Sequence, residues 1–211
     1  MSDCAAKTGE YPSDCQILEG MRTRVREKAE AMVDENRKRL LAKAKEIKLL
    51  LLDVDGVLTN GNLLYTGNEA ESKSFNTQDG FGLRLLREAG IDTGVITARK
   101  SEVVQRRAEE LSMTYIYQGA KNKNSAFKEI LKQSVLKPYQ IAYMGDDWLD
   151  LVLLQQVGLS ATPANGVDQV KDAVHFIAKR QGGEGAVREL CDLIIEGHGK
   201  TDQLLQTYLN R

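Results

Sequence analysis

Apolar and polar positions sort the chain into three regimes. Up to about residue 20 the chain carries Gly, Pro, Ser and Asp with no periodicity, which predicts a mobile leader over 1–20. Then Met21, Val25, Ala29, Met32, Leu40, Ala44 and Ile47 recur at helical spacing and predict an amphipathic helix over 21–46. From residue 47 short apolar runs alternate with amphipathic stretches, the pattern of a doubly wound parallel α/β sheet. The predicted strands are Ile47–Val54, Thr93–Thr97, Tyr115–Tyr117, Ile141–Met144, Leu159–Ala161 and His175–Ile177. Between the first two, Gly61–Phe75 reads as a hairpin turning near Thr66-Gly67-Asn68. Helices are expected over Gly80–Ala89, Ser101–Leu111 with Ser101 as N-cap, Asn124–Gln133, Leu149–Val157 and Asp168–Ala173. Gly182–Gly185 opens a last helix to about Glu196, and 199–211 form a tail in which Thr201–Leu209 adds a turn or two.

Composition narrows the function classes. Residues 21–48 hold ten Lys or Arg against five Asp or Glu, so the first helix is basic and reads as a solvated helix packed on its own domain or on a sister subunit. The whole chain of 211 residues has a net charge of -1, which argues against a nucleic-acid binder. No apolar run is long enough to span a membrane, and the start lacks the basic-then-apolar order of a secretory signal. Cys4, Cys15 and Cys191 show no metal-ligand spacing and read as reduced thiols of a cytoplasmic protein.

In an open α/β sheet, ligands bind beyond the carboxyl ends of the strands, so the residue after each apolar run is the informative one. Those runs deliver Asp53 and Asp55, then Thr97 and Arg99, then Lys121 and Lys123, then Asp146, Asp147 and Asp150. Clustered carboxylates offer hard oxygens to Mg²⁺, which shares a phosphate oxygen. A carboxylate nucleophile divides a phosphoryl displacement into two easier steps, and a second carboxyl moves the proton. A cation and a hydroxyl offset the charge of the incoming phosphate. The opening Asp-Val-Asp-Gly also suggests a calcium loop, but Leu58 and Leu64 occupy the places of its required Gly and Glu.

These residues make the sequence recognisable. It resembles the haloacid dehalogenase phosphatases over about residues 46–198, through DVDGVLT (Asp53–Thr59), ITAR (Ile96–Arg99), Lys123 and GDDWLD (Gly145–Asp150). KSFNTQDGFG (Lys73–Gly82), YQGAKNK (Tyr117–Lys123) and GGEGAVRE (Gly182–Glu189) are similar to the small capless branch that acts on 3-deoxy-D-manno-octulosonate 8-phosphate. The resemblance implies a phosphatase domain over 47–198, with a hairpin after the first strand and no cap domain.

It also implies roles. Asp53 is the nucleophile and a metal ligand, and Asp55 the general acid/base, whose carbonyl joins the metal. Asp146 completes the Mg²⁺ site, and Thr97 and Lys123 hold the phosphate, Lys123 being preferred over Lys121. Asp147 and Asp150 orient ligands and Lys123, while Asp79 and Arg99 face a small phosphorylated sugar acid. A homotetramer is implied too, in which the segment from Gly182 covers a neighbour's site. Two alternatives stand beside it: a phosphatase of nine-carbon sugar acids, which Glu184 favours and Arg99 opposes, and a non-catalytic oligomerising scaffold, which the complete acid set opposes.

Overall fold

The computed structural model describes residues 14–65 and 71–210. The chain divides into two compact units, Met1–Arg39 and Leu40–Arg211. The described part of the first unit is helix α1 (Asp14–Lys45), whose last turns belong to the second. The helix starts at Asp14, inside the stretch the sequence reads as a leader; 1–13 lie outside the described residues. Its predicted apolar face is exposed at Met21 and Val25, 53% and 70%, and buried at its other end, where Ala44 and Ile47 are both 0% exposed. Ion pairs one turn apart, Lys38 to Asp34 at 2.7 Å and Arg39 to Glu35 at 3.2 Å, support it locally. Among the described residues, no helix is long and apolar enough to cross a membrane.

The second unit is built on a six-stranded parallel sheet. In chain order its strands are β1 (Leu49–Leu52), β4 (Asp92–Ile96), β5 (Tyr115–Tyr117), β6 (Ile141–Met144), β7 (Leu159–Thr162) and β8 (Phe176–Ile177). They lie in the order β5-β4-β1-β6-β7-β8, so every strand predicted from the sequence is present. The short β2 (Leu64–Tyr65) and β3 (Glu71–Ser72) pair antiparallel as the expected hairpin, whose turn at 66–70 lies outside the described residues.

Strand β1 shows why the sheet is covered on both sides. Its four leucines are all buried. Leu50 and Leu52 join one core with α2 (Thr77–Glu88), α3 (Glu102–Glu110) and α7 (Ala186–Gly197). Leu49 and Leu51 join the other with α4 (Lys123–Ser134), α5 (Leu151–Leu154) and α6 (Asp168–Lys171). A period of two with both faces buried is what a continuous apolar run means in a parallel sheet. Each buried leucine contributes about 1.5–3 kcal/mol relative to exposure.

Thr201–Leu209, expected to add a turn or two, form helix α8 (Thr201–Leu209). Its Tyr208 ring stands edge-on to Phe81 of α2, 5.2 Å between centroids. The segment from Gly182 belongs to its own chain's fold. A Cβ on Gly182 would run into the Gly56 carbonyl, and Gly183 N–H donates to Val57 O at 2.9 Å. Beyond it Val187, Leu190, Cys191 and Ile194 are fully buried. The apolar face of α7 is thus consumed internally.

Candidate active site

Strand order places the chemistry. From β1 the chain steps outward through β4 to β5, then returns to β6 on the other flank of β1. The crevice where the direction reverses lies at the carboxyl ends of β1, β4 and β6. Each strand is pinned one residue past its end by another ladder bond. Asp53 N–H donates to Met144 O at 3.0 Å, Thr97 N–H to Tyr117 O at 2.9 Å and Gly145 N–H to Ala161 O at 3.2 Å. Asp53, Thr97 and Asp146 therefore sit on rigid scaffold at one rim.

Lys123 crosses that rim. It is the first residue of α4, whose N-cap Asn122 accepts from Ser125 N–H, and its side chain is 4% exposed. The ammonium meets Asp53 Oδ2 at 2.8 Å and Asp150 Oδ1 at 2.6 Å. Burial works against the charge of Lys123, yet the two carboxylates carry its pKa above the ordinary lysine value. Lys121, the competing candidate, is exposed.

The three acids Asp53, Asp146 and Asp150 bring one carboxylate oxygen each within 4.8 Å of one another. They are not equivalent. Asp150 is fully buried, and both its oxygens are engaged. Oδ1 accepts from Lys123 and from the Tyr143 hydroxyl at 2.5 Å, and Oδ2 from the N–H groups of Asp146 at 3.0 Å and Asp147 at 3.2 Å. It has no lone pair left for a cation and suits the orienting role expected of it.

Asp146 is the opposite case, since no hydrogen-bond donor among the described residues meets its carboxylate. Burial first, then Asp53, Asp150 and Asp147, push its pKa up to about 7. Asp53 rises to about 6, again through burial first, with Lys123 pulling it down and Asp150 up. Gly56, at φ 86°, keeps the opposite wall open, because a Cβ there would strike the Asp146 carboxylate. Two half-buried carboxylates that repel each other beside an unpaired oxygen suit a hard divalent cation. The donor set thus fits Mg²⁺.

Asp55 stands on the outer side of the rim. Lys73 Nζ reaches its Oδ1 at 2.5 Å, and Arg99 Nε lies 3.7 Å from Oδ2. Arg99 also faces Glu71, 3.8 Å away, and is 45% exposed at the mouth. Thr97 is 3% exposed, with its hydroxyl 3.5 Å from Arg99 N–H.

Two expected site residues do other work. Asp79 is 1% exposed. Its carboxylate accepts from Gly185 N–H at 3.3 Å and Arg188 N–H at 2.8 Å, so it caps α7 from across the fold. Asp147 is exposed and accepts from Trp148 N–H at 2.7 Å, capping the short 3₁₀ turn Trp148–Asp150 without touching Lys123. Three residues receive no role from the sequence. Tyr143 hides within an apolar strand, while Lys73 and Glu71 matter only once the hairpin folds back on Asp55. An apolar groove of about 650 Å³ among Phe81, Leu85, Ile195, Leu204, Leu205 and Tyr208 involves none of the predicted site residues.

Comparison with known proteins agrees with this geometry. The haloacid dehalogenase-like hydrolase pattern matches residues 99–190. Over 165 residues the chain is 41% identical to the 3-deoxy-D-manno-octulosonate 8-phosphate phosphatase of Escherichia coli K12, covering 78% of this chain and 87% of that protein. Among solved structures, a haloacid dehalogenase superfamily hydrolase of subfamily III A from Legionella pneumophila is 43% identical with a TM-score of 0.82, over 86% of this chain and 100% of that one. A 3-deoxy-D-manno-octulosonate 8-phosphate phosphatase from Moraxella catarrhalis, in complex with magnesium, phosphate and the KDO molecule, is 38% identical with a TM-score of 0.78, over 80% and 97%.

Proposed function

Since this chain belongs to the haloacid dehalogenase-like hydrolases, we propose that it is a magnesium-dependent phosphatase of 3-deoxy-D-manno-octulosonate 8-phosphate, releasing the free sugar acid for lipopolysaccharide synthesis. One observation carries the reading. Lys123 binds Asp53 at 2.8 Å while the Asp146 carboxylate beside it has no hydrogen-bond donor among the described residues, so nucleophile, cation and hard ligand share one rim.

Asp53 Oδ attacks phosphorus and becomes an acyl phosphate as the bond to the sugar oxygen breaks. Asp55 gives its proton to that departing oxygen, then takes one from the water that hydrolyses the acyl phosphate. Lys123 and Thr97 hold the phosphoryl oxygens, and Asp150 fixes the Lys123 ammonium. Asp53, Asp146 and the Asp55 carbonyl would hold Mg²⁺, which would supply charge neutralisation at the phosphate. Arg99, at the mouth, grips the sugar carboxylate.

The proposal includes a homotetramer. Support comes from the open rim: Lys73 follows Asp55 by only 18 positions, which leaves room for a hairpin and no cap. It comes also from α8, whose Leu205 and Leu209 are 55% and 66% exposed.

Phosphate release from the eight-carbon and nine-carbon sugar-acid phosphates, with Mg²⁺ and with EDTA, tests the reading. Expected is magnesium-dependent turnover with preference for the eight-carbon ester. Turnover undiminished in metal-free buffer, or preference for the nine-carbon ester, rejects it. Light scattering tests the tetramer.

A further inference from the structure

Asp55 must present its proton to a leaving oxygen, so the direction of its side chain matters as much as its charge. That direction is set from the hairpin. The Lys73 side chain is 1% exposed, and its ammonium reaches Asp55 Oδ1 at 2.5 Å and Glu71 Oε1 at 3.1 Å. Glu71 meets it as an ion pair without hydrogen-bond alignment. Burial opposes the Glu71 charge, but Ser101, Lys73 and Arg99 hold its carboxyl below the ordinary range. The Lys73 ammonium is thus wedged between two carboxylates. An exposed lysine would wander over many rotamers, whereas this one is immobilised by burial at the cost of desolvating its charge. Such a cost is retained where position has a use.

We propose that Lys73 is a positioning residue for the phosphatase reaction: anchored by Glu71, it fixes the Asp55 carboxyl so that the oxygen away from Lys73 faces the leaving group. The proposal rests on the reading of Asp53 as nucleophile and Asp55 as acid. In the first half-reaction the Asp53–phosphorus bond forms, the phosphorus–oxygen bond of the ester breaks, and the Asp55 proton passes to the departing oxygen. Lys73 exchanges no proton and touches no substrate atom. The hairpin therefore serves catalysis through β3, beyond any part it plays in assembly.

Leaving-group dependence tests this. An ester of an acidic phenol departs without a proton, whereas an ester of a weakly acidic one needs it. The full chain with Mg²⁺ is assayed on a series of substituted phenyl phosphates, including p-nitrophenyl phosphate. The quantity read is kcat/KM, which reports on the first chemical step. Lys73→Met should lose about tenfold or more in excess on the esters with the poorest leaving groups, and little on p-nitrophenyl phosphate. Lys73→Arg should restore part of the loss. An equal loss across the series, or none, overturns the positioning role. Where Lys73→Met does not fold, Glu71→Gln decides by the same series, because it loosens the anchor and leaves Lys73 in place. Asp53→Asn, run alongside, separates the two failures. Turnover there removes the nucleophile reading, whereas an inert Asp53→Asn with a uniform Lys73→Met series removes the positioning role only.

Discussion

Asp150 and Lys123 meet at 2.6 Å where neither reaches solvent, one side chain 0% and the other 4% exposed. Asp150 is thereby the fixed partner that holds the ammonium whatever the state of Asp53. Without Asp150 the ammonium keeps Asp53, but the buried Tyr143 hydroxyl loses its acceptor, a loss of about 1–3 kcal/mol. Asp150→Ala is expected to lose that order of stability by denaturant unfolding. Asp150→Asn should fold but bind phosphate more weakly. An unchanged denaturation midpoint in Asp150→Ala contradicts the assignment.

Asp53→Asn should separate catalysis from stability. The amide is near the carboxylate in size yet is no nucleophile, so turnover should vanish. It also removes a charge that repels Asp146 and Asp150. Its melting temperature in EDTA should therefore equal or exceed that of the wild type. A clear fall in melting temperature would place Asp53 among the structural acids.

The raised pKa values of Asp53, about 6, and Asp146, about 7, fix the sign of a pH effect. Between the ordinary carboxylate range and pH 7 the metal-free folded chain binds more protons than the unfolded chain. Their contribution to stability is thus present at low pH and lost as pH rises through 6 and 7. Mg²⁺ needs both carboxylates ionised and acts in the opposite direction. The melting-temperature gain on adding Mg²⁺ should grow from pH 5 to pH 8 and shrink in Asp146→Asn. Equal gains at both pH values in the wild type would contradict this.

Asp79→Ala should weaken the fold and spare the chemistry. Two N–H groups of the α7 start lose their acceptor, a loss of about 1–3 kcal/mol. Measured on the folded fraction at low temperature, kcat should stay within about twofold, a change worth under 1 kcal/mol in barrier. A large drop in kcat with stability intact would return Asp79 to the substrate.

Arg99 lies 3.7 Å from Asp55 and 3.8 Å from Glu71, at the mouth where a ligand carboxylate would enter. Arg99→Ala should lower kcat/KM on the eight-carbon sugar-acid phosphate by roughly ten- to a hundredfold, the value of one charge-assisted contact. On p-nitrophenyl phosphate, which has no carboxylate, the effect should be small. Equal losses on the two would show that Arg99 serves phosphate binding or structure.

What the sequence reveals follows from the range of the interactions. The six strands and the Ser101 cap depend on neighbours a few residues away, so periodicity and residue type suffice. Asp53, Thr97 and Asp146 are legible because a strand-end position in a parallel sheet is a place in space. Asp79 shows the limit. It sits in the first turn of α2 among site motifs, yet its partners arrive more than a hundred residues later, with α7. Lys73 was visible as a motif letter, but only the folded hairpin gives it Asp55. Helix α1 escaped its predicted start because the seven residues Asp14–Gly20 are too few to show a period of their own.

The contact of Gly182 with Gly56 has a consequence for synthesis. Chains emerge from the N-terminus, and the loop carrying Asp53 and Asp55 appears early, followed by Thr97, Lys123 and Asp146. Every acid of the site is thus present before the backbone that braces the Gly56 loop exists, and before α7 covers the apolar face of α2. A nascent chain halted after β8 carries the full catalytic alphabet with its first word unsupported and a hydrophobic face bare. Competence for phosphate chemistry then arrives in one late event, when the last buried helix docks.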